Sequence, residues 1–199
     1  MLDTRCWIDA ESHIQEIVNN NWFKQSMMNA SFKFQVSGFE KDKYLRLILI
    51  AGLIVVLDQI TKLIVLDSLP LFHSIQILPG FFNLTHIHNP GGAFGFLSTN
   101  SSTIQRFVFL FASSLAIGLV LYFYNKTPKS FVLLSTGFAL VIGGAVGNLI
   151  DRIRMGKVVD FLDFYIGDFH WPAFNVADSA VSIGMIIFVF HLVFKKLPE

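Results

Sequence analysis

Cysteine is almost missing from this chain: Cys6 is the only one and lies in a polar stretch, so neither a disulfide framework nor a cysteine metal cluster is available. Charge is scarce too. Only 15% of the 199 residues are Asp, Glu, Lys or Arg, against 53% hydrophobic residues with Phe 22 times among them, and the mean hydropathy is +0.58. That balance excludes an ordinary soluble domain and fits a polytopic membrane protein with one compact domain. The formal charge is +1, and no basic patch interleaved with aromatics occurs, which argues against nucleic acid as a partner. There is no HExxH and no GxSxG, so zinc-protease and serine-hydrolase chemistry lack their usual residues. His86 and His88 form an H-x-H pair, but no third metal ligand accompanies them, and no cofactor is expected. Residues 1–43 hold no apolar run suited to a secretory signal, and counted up to Arg46 the six acidic and six basic side chains cancel. They read as a polar extension, disordered or weakly amphipathic, set apart from a domain at 44–199. Met27 or Met28, just ahead of a short basic segment, is the expected native start.

Long apolar runs are what the chain does have. Four of them, at about 44–66, 104–124, 131–150 and 174–194, are each close to the roughly 20 residues that cross a hydrocarbon core. Pro128, in the polar stretch 125–130, separates the second run from the third. The fold class expected is therefore an α-helical polytopic membrane protein with four transmembrane helices. Lys33, Lys41, Lys43, Arg46, Lys126, Lys129, Lys195 and Lys196 fall on one side, and they outnumber Lys62, Arg106, Arg152, Arg154 and Lys157 on the other. The positive-inside rule then places both termini in the cytoplasm.

Two segments emerge on the outer side. Residues 75–97 alternate apolar and polar positions around Phe82, Leu84, His86 and His88 and are broken by Pro79, Gly80, Pro90, Gly91 and Gly92, which predicts a small outer sheet within about 67–103. Residues 151–172 are rich in Phe, Tyr and Trp, as at a membrane interface.

Carboxylates in such a chain are functional suspects, because an Asp at a helix centre in the bilayer costs about 2.5–3.5 kcal/mol. Asp160 lies in VVDF and Asp178 in FNVAD. If they meet, both cannot easily ionise, and one proton is shared between them. One carboxyl can then activate water while the other protonates a peptide carbonyl. Asp163 and Asp168 read as surface loop residues. Asn175 and Asp178 are one turn apart at the start of the fourth span; either suits a helix cap, and capping is expected to account for one of them, not both. In GGAVGNLIDR, Gly144, Asn148 and either Asp151 or Arg152 share a helix face, while Gly143 and Gly147 suit close helix contact. The plainer alternative leaves Asn148 as glue between helices and pairs Asp151 with Arg152 or Arg154 at the surface. Asp58 and Lys62, at i and i+4, read as a structural ion pair. Asn89, ahead of Gly91 and Gly92, reads equally as a turn or a substrate contact.

Taken in order, DQITK, NPGGAF, GGAVGNLIDR, VVDF and FNVAD closely resemble the lipoprotein signal peptidase family, also called signal peptidase II, over about 44–194. The resemblance implies an aspartic endopeptidase of the bacterial inner membrane that removes signal peptides from diacylglyceryl-modified prolipoproteins, cutting before the lipidated cysteine. It implies catalytic roles for Asp160 and Asp178, and functional or supporting roles for Asp58, Lys62, Asn89, Gly144, Asn148, Arg152, Asn175 and Ala177. It further implies an outer β-cradle, contact with membrane lipids and inhibition by globomycin. The rival readings are a proton-coupled transporter with Asp58, Asp160 and Asp178 as a relay, against which stands the lack of inverted repeats, and a non-enzymatic membrane scaffold.

Overall fold

The computed structural model describes residues 21–91 and 103–195. Cys6, the 75–97 segment beyond Gly91, the stretch 98–102 and Lys196 fall outside them. The chain divides into two compact units, Met1–Leu45 and Arg46–Glu199, and the site described below lies in the second.

The described elements are, in order, α1 (Asn21–Ser68), β1 (Ser74–Leu78), β2 (Phe82–Asn89), α2 (Thr103–Lys126), α3 (Val132–Met155), β3 (Val158–Ile166), β4 (Phe169–His170) and α4 (Val176–Phe190), which continues as a π-helical turn over His191–Lys195. Helix α1 begins at Asn21, inside the stretch 1–43 that the sequence sets apart. Among the described residues, four helical segments are long and apolar enough to cross a membrane: Asp42–Ser68, Arg106–Lys126, Val132–Met155 and Val176–Phe194. In hydrocarbon every backbone N–H and C=O needs an internal partner, and a helix supplies them all. Large apolar side chains such as Ile48, Phe111 and Ile186 point outward, a surface suited to lipid.

The third helix does not stop at 150 as the apolar run suggests. Asp151 finds partners inside the protein, so its charge does not end the helix; Gly156 does. That residue adopts φ 74°, a left-handed conformation glycine reaches without a Cβ penalty, and its N–H returns to Arg152 O at 3.0 Å.

The four strands form one antiparallel sheet in the order β1-β2-β3-β4. The expected small sheet is thus present, but β3 and β4 come from 151–172, which alternation did not mark as strand. The reason is burial: Val158, Val159, Asp160 and Phe161 are all buried, and a strand covered on both faces reads as a continuous apolar run. Val159 and Phe161 pack with Val65 of α1, which ties the sheet to the helices. A second core, Tyr124, Leu134, Phe138 and Ile142, joins α2 to α3, with Leu47 and Ala51 of α1 against it.

Candidate active site

Two short connections carry the site. After Gly156 the chain turns directly into β3, and Asp160 follows four residues later, opposite Ile87 of β2. Asn89 lies two positions along β2 from Ile87, hence on the same face, and its Nδ2 donates to Asp160 Oδ2 at 3.0 Å. After β4, Asn175 takes an extended conformation and caps α4: its Oδ1 accepts from Asp178 N at 2.9 Å, and its own N donates to Asp178 Oδ2 at 3.2 Å. This is a capping box with Asp at the third helical position. Capping therefore uses Asn175 and Asp178 together, which corrects the expectation that it accounts for only one.

Asn175 also reaches the other carboxyl. Its Nδ2 donates to Asp160 Oδ1 at 2.7 Å, and Val159 O and Asn148 Oδ1 lie at 3.2 and 3.3 Å. An amide nitrogen has two hydrogens, so the short contact to Asp160 takes one, and the other is shared. Asn148 Nδ2 donates to Asp178 Oδ1 at 2.8 Å. Each carboxyl oxygen of the pair thus accepts one hydrogen bond from a fixed donor, leaving lone pairs for a shared proton or a water. Both side chains line one cavity of about 740 Å³ together with Asn89, Asn148, Arg152 and Phe174.

Asp160 is 3% exposed. Burial pushes its carboxyl from the ordinary 3.8 up to about 7, and the Asp178 charge adds to the rise, while the Asn89 and Asn175 hydrogen bonds and the Lys62 charge oppose it. A carboxyl titrating near neutrality is suited to donating and accepting protons at cellular pH.

Beneath the cavity, Asp58 and Lys62 form the expected i, i+4 pair at 2.8 Å, almost fully buried. Asp58 Oδ1 accepts from Ala177 N at 3.0 Å. Glycines let α3 come this close: a Cβ on Gly144 would collide with Ala177 O, and one on Gly147 would stand 2.6 Å from Asp58 Oδ2.

Asp151 is not a surface residue. It is 1% exposed, forms an ion pair with Lys62 at 2.8 Å, and accepts from Gln59 Nε2 and Val159 N. No ion pair joins it to Arg152 or Arg154 among the described residues. The reason is register: Gly144, Gly147, Asn148 and Asp151 fall at i, i+3, i+4 and i+7, one continuous buried face. That spacing was the signal that could have found Asp151. Arg152 instead lies on the cavity wall, over the Phe109 ring at 5.7 Å, with Nη1 3.5 Å from Ser113 Oγ. Asp163 is likewise no loop residue, being buried in β3 between Asn83 Nδ2 at 2.9 Å and His170 Nδ1 at 2.8 Å; Asp168 is exposed.

His86 and His88 meet through their Nε2 atoms at 3.1 Å, and His86 Nδ1 lies 2.6 Å from Leu69 O. A carbonyl only accepts, so His86 Nδ1 carries a hydrogen. Burial, then Lys157 and His86, hold His88 below its ordinary value. No group of three His, Cys, Asp or Glu side chains able to hold a metal occurs among the described residues.

With this geometry in view, the chain matches the family described as Signal peptidase (SPase) II over residues 50–194. The lipoprotein signal peptidase of Desulforapulum autotrophicum is 54% identical over 154 residues, 77% of this chain and 95% of that protein. The lipoprotein signal peptidase of Syntrophus aciditrophicus is 46% identical over 146 residues, 73% of this chain and 91% of that one. Among solved structures, a bacterial membrane enzyme with 33% sequence identity superposes with a TM-score of 0.66 over 77% of this chain and 93% of its own.

Proposed function

Because this chain belongs to the signal peptidase II family, we propose that Asp160 and Asp178 are the carboxyls with which it cleaves its substrates. The protein is an aspartic peptidase of that family, a multi-pass membrane protein that removes signal peptides from prolipoproteins. The observation that carries the dyad reading is Asn175, which hydrogen-bonds Asp160 through its side chain and Asp178 through its backbone.

Asp160, held up to about 7, carries the shared proton near neutral pH, and Asp178 is the base. Asp178 takes a proton from water as its oxygen bonds to the scissile carbonyl carbon, and Asp160 gives its proton to the carbonyl oxygen. The tetrahedral diol then collapses: a proton passes to the amide nitrogen, the C–N bond breaks, and the pair again holds one proton. Asn89, Asn148 and Asn175 hold the carboxyls in place, while Gly144 and Ala177 let the backbones approach. Arg152, on the cavity wall, offers N–H donors to substrate carbonyls or to the lipid headgroup.

The substrate is a diacylglyceryl-modified prolipoprotein, with its acyl chains kept in the bilayer and its signal helix beside the protein. Such anchoring presents the scissile bond at the interface and replaces much of a conventional specificity pocket. Both termini face the cytoplasm of a bacterial inner membrane, and the dyad faces outward, as the distribution of Lys and Arg supports. Globomycin, an inhibitor that the family resemblance implies, is expected to inhibit this protein as well. Residues 1–43 are an extension apart from the peptidase domain at 44–199.

Purified protein incubated with a diacylglyceryl-modified peptide tests the reading. Mass spectrometry is expected to find a signal fragment ending just before the modified cysteine. An intact peptide would favour a transporter or a scaffold instead.

A further inference from the structure

Each carboxyl of the proposed dyad is preceded by a residue whose backbone N–H is gripped by another buried carboxylate. Ala177 N, just before Asp178, donates to Asp58 Oδ1 at 3.0 Å. Val159 N, just before Asp160, donates to Asp151 Oδ2 at 3.2 Å. The same ammonium clamps both grips: Lys62 Nζ lies 2.8 Å from Asp58 Oδ2 and 2.8 Å from Asp151 Oδ2. Its third hydrogen goes to Asn148 Oδ1 at 2.9 Å, so all three donors are used. That last bond also fixes the orientation of the Asn148 amide, whose nitrogen faces Asp178. Gln59 Nε2 closes the cluster, 3.2 Å from Asp58 Oδ2 and 3.1 Å from Asp151 Oδ1.

Stability alone does not account for this arrangement. Apolar side chains of similar volume hold helices together as well as a buried ion cluster does, without the desolvation penalty. What an apolar contact lacks is direction. Here α1, α3, β3 and the first turn of α4 are tied to one nitrogen atom through bonds that end next to the two reacting groups.

Resting on the dyad reading, we propose that Asp151 is a positioning residue of the peptidase, acting with Asp58 and Lys62 as a brace that sets the spacing between the two carboxyls. Asp58 fixes the α4 side, Asp151 fixes the β3 side, and Lys62 holds the two at one separation.

The test is Asp151→Asn in the full-length protein, purified from membranes and assayed on a diacylglyceryl-modified peptide across pH. The charged groups around the dyad are Lys62, Arg152, Asp58 and Asp151. Removing the Asp151 charge without altering geometry would move both limbs of the pH–rate bell toward lower pH together. Loosening the brace weakens the coupling between the carboxyls and brings the limbs closer. Displacements on the order of 1 Å cost roughly 100-fold, so kcat is expected to fall roughly 10- to 100-fold, KM to stay within about twofold, and the bell to narrow. If Asp151→Asn does not accumulate, Asp151→Glu keeps the charge and lengthens the arm, and the same kcat loss and narrowing are expected. A wild-type kcat in whichever variant accumulates overturns the brace, as does a rigid displacement of the bell. Asp160→Asn and Asp178→Asn run alongside: activity there removes the dyad and the brace with it. Their inactivity beside a normal Asp151→Asn removes the brace alone.

Discussion

Asn175 and Asp178 bond each other reciprocally, each backbone N–H donating to the other's side chain, at 2.9 and 3.2 Å. The first turn of α4 is thereby part of the site, and the Asn175 side-chain nitrogen extends it to Asp160.

Capping and catalysis at Asn175 can be separated. Asn175→Ala removes the cap and is expected to destabilise the protein by about 1 kcal/mol as well as to impair cleavage. Asn175→Ser keeps an oxygen to accept from Asp178 N, as a good N-cap residue, but removes the amide donor to Asp160. Thermal unfolding in detergent should therefore find Asn175→Ser closer to wild type than Asn175→Ala while its kcat falls about as far. Equal loss of stability in both would contradict this division.

Asn89 stabilises the ionised form of Asp160 through its hydrogen bond. Asn89→Ala deletes that donor, so the Asp160 carboxyl should rise further above about 7, and the limb of the pH–rate profile that it governs should move to higher pH. A limb that stays in place or moves to lower pH would separate Asn89 from Asp160.

Asp160 also makes stability depend on pH. Its carboxyl titrates at 3.8 ordinarily and at about 7 in the folded protein, so across that window the folded state holds more protons than the unfolded one. The contribution of this one group to stability is then full below about pH 4 and is lost as pH rises toward 7, by about 4 kcal/mol at most. Asp160→Asn lacks an ionising group there. It should be more stable than wild type at pH 8, with the difference shrinking toward pH 4 in melting measurements. A constant difference across that range would refute the assignment.

Much of this site is legible in the sequence because intramembrane carboxylates and amides are expensive and have few reasons to be present. Asp160, Asp178, Asn148 and the pair Asp58 and Lys62 stand out in that way. Asp151 does not, since its neighbours Arg152 and Arg154 supply an obvious surface partner in one dimension. Only the extension of α3 to Met155 turns it inward. Strand β3 is hidden for a related reason: both its faces are covered near Asp160, which erases the alternation that exposes β2. The long-range contacts of Asn175 to Asp160 and of Ala177 to Asp58 have no local signature at all.

Close approach of α3 and α4 depends on Gly144. A methyl group there meets the Ala177 carbonyl, which is backbone and cannot swing aside. Gly144→Ala is expected to destabilise by about 1–3 kcal/mol and to shift α4 enough to impair cleavage. Unchanged melting and activity would show that the helices have slack.

The most direct measurement is the rate at which purified Asp160→Asn and Asp178→Asn cleave a diacylglyceryl-modified peptide. Each substitution removes a proton-transferring group while nearly preserving shape, so each is expected to lose roughly 100- to 10,000-fold or more in kcat while still accumulating in membranes. Cleavage by either variant at the wild-type rate would contradict the proposal that two carboxyls share the chemistry.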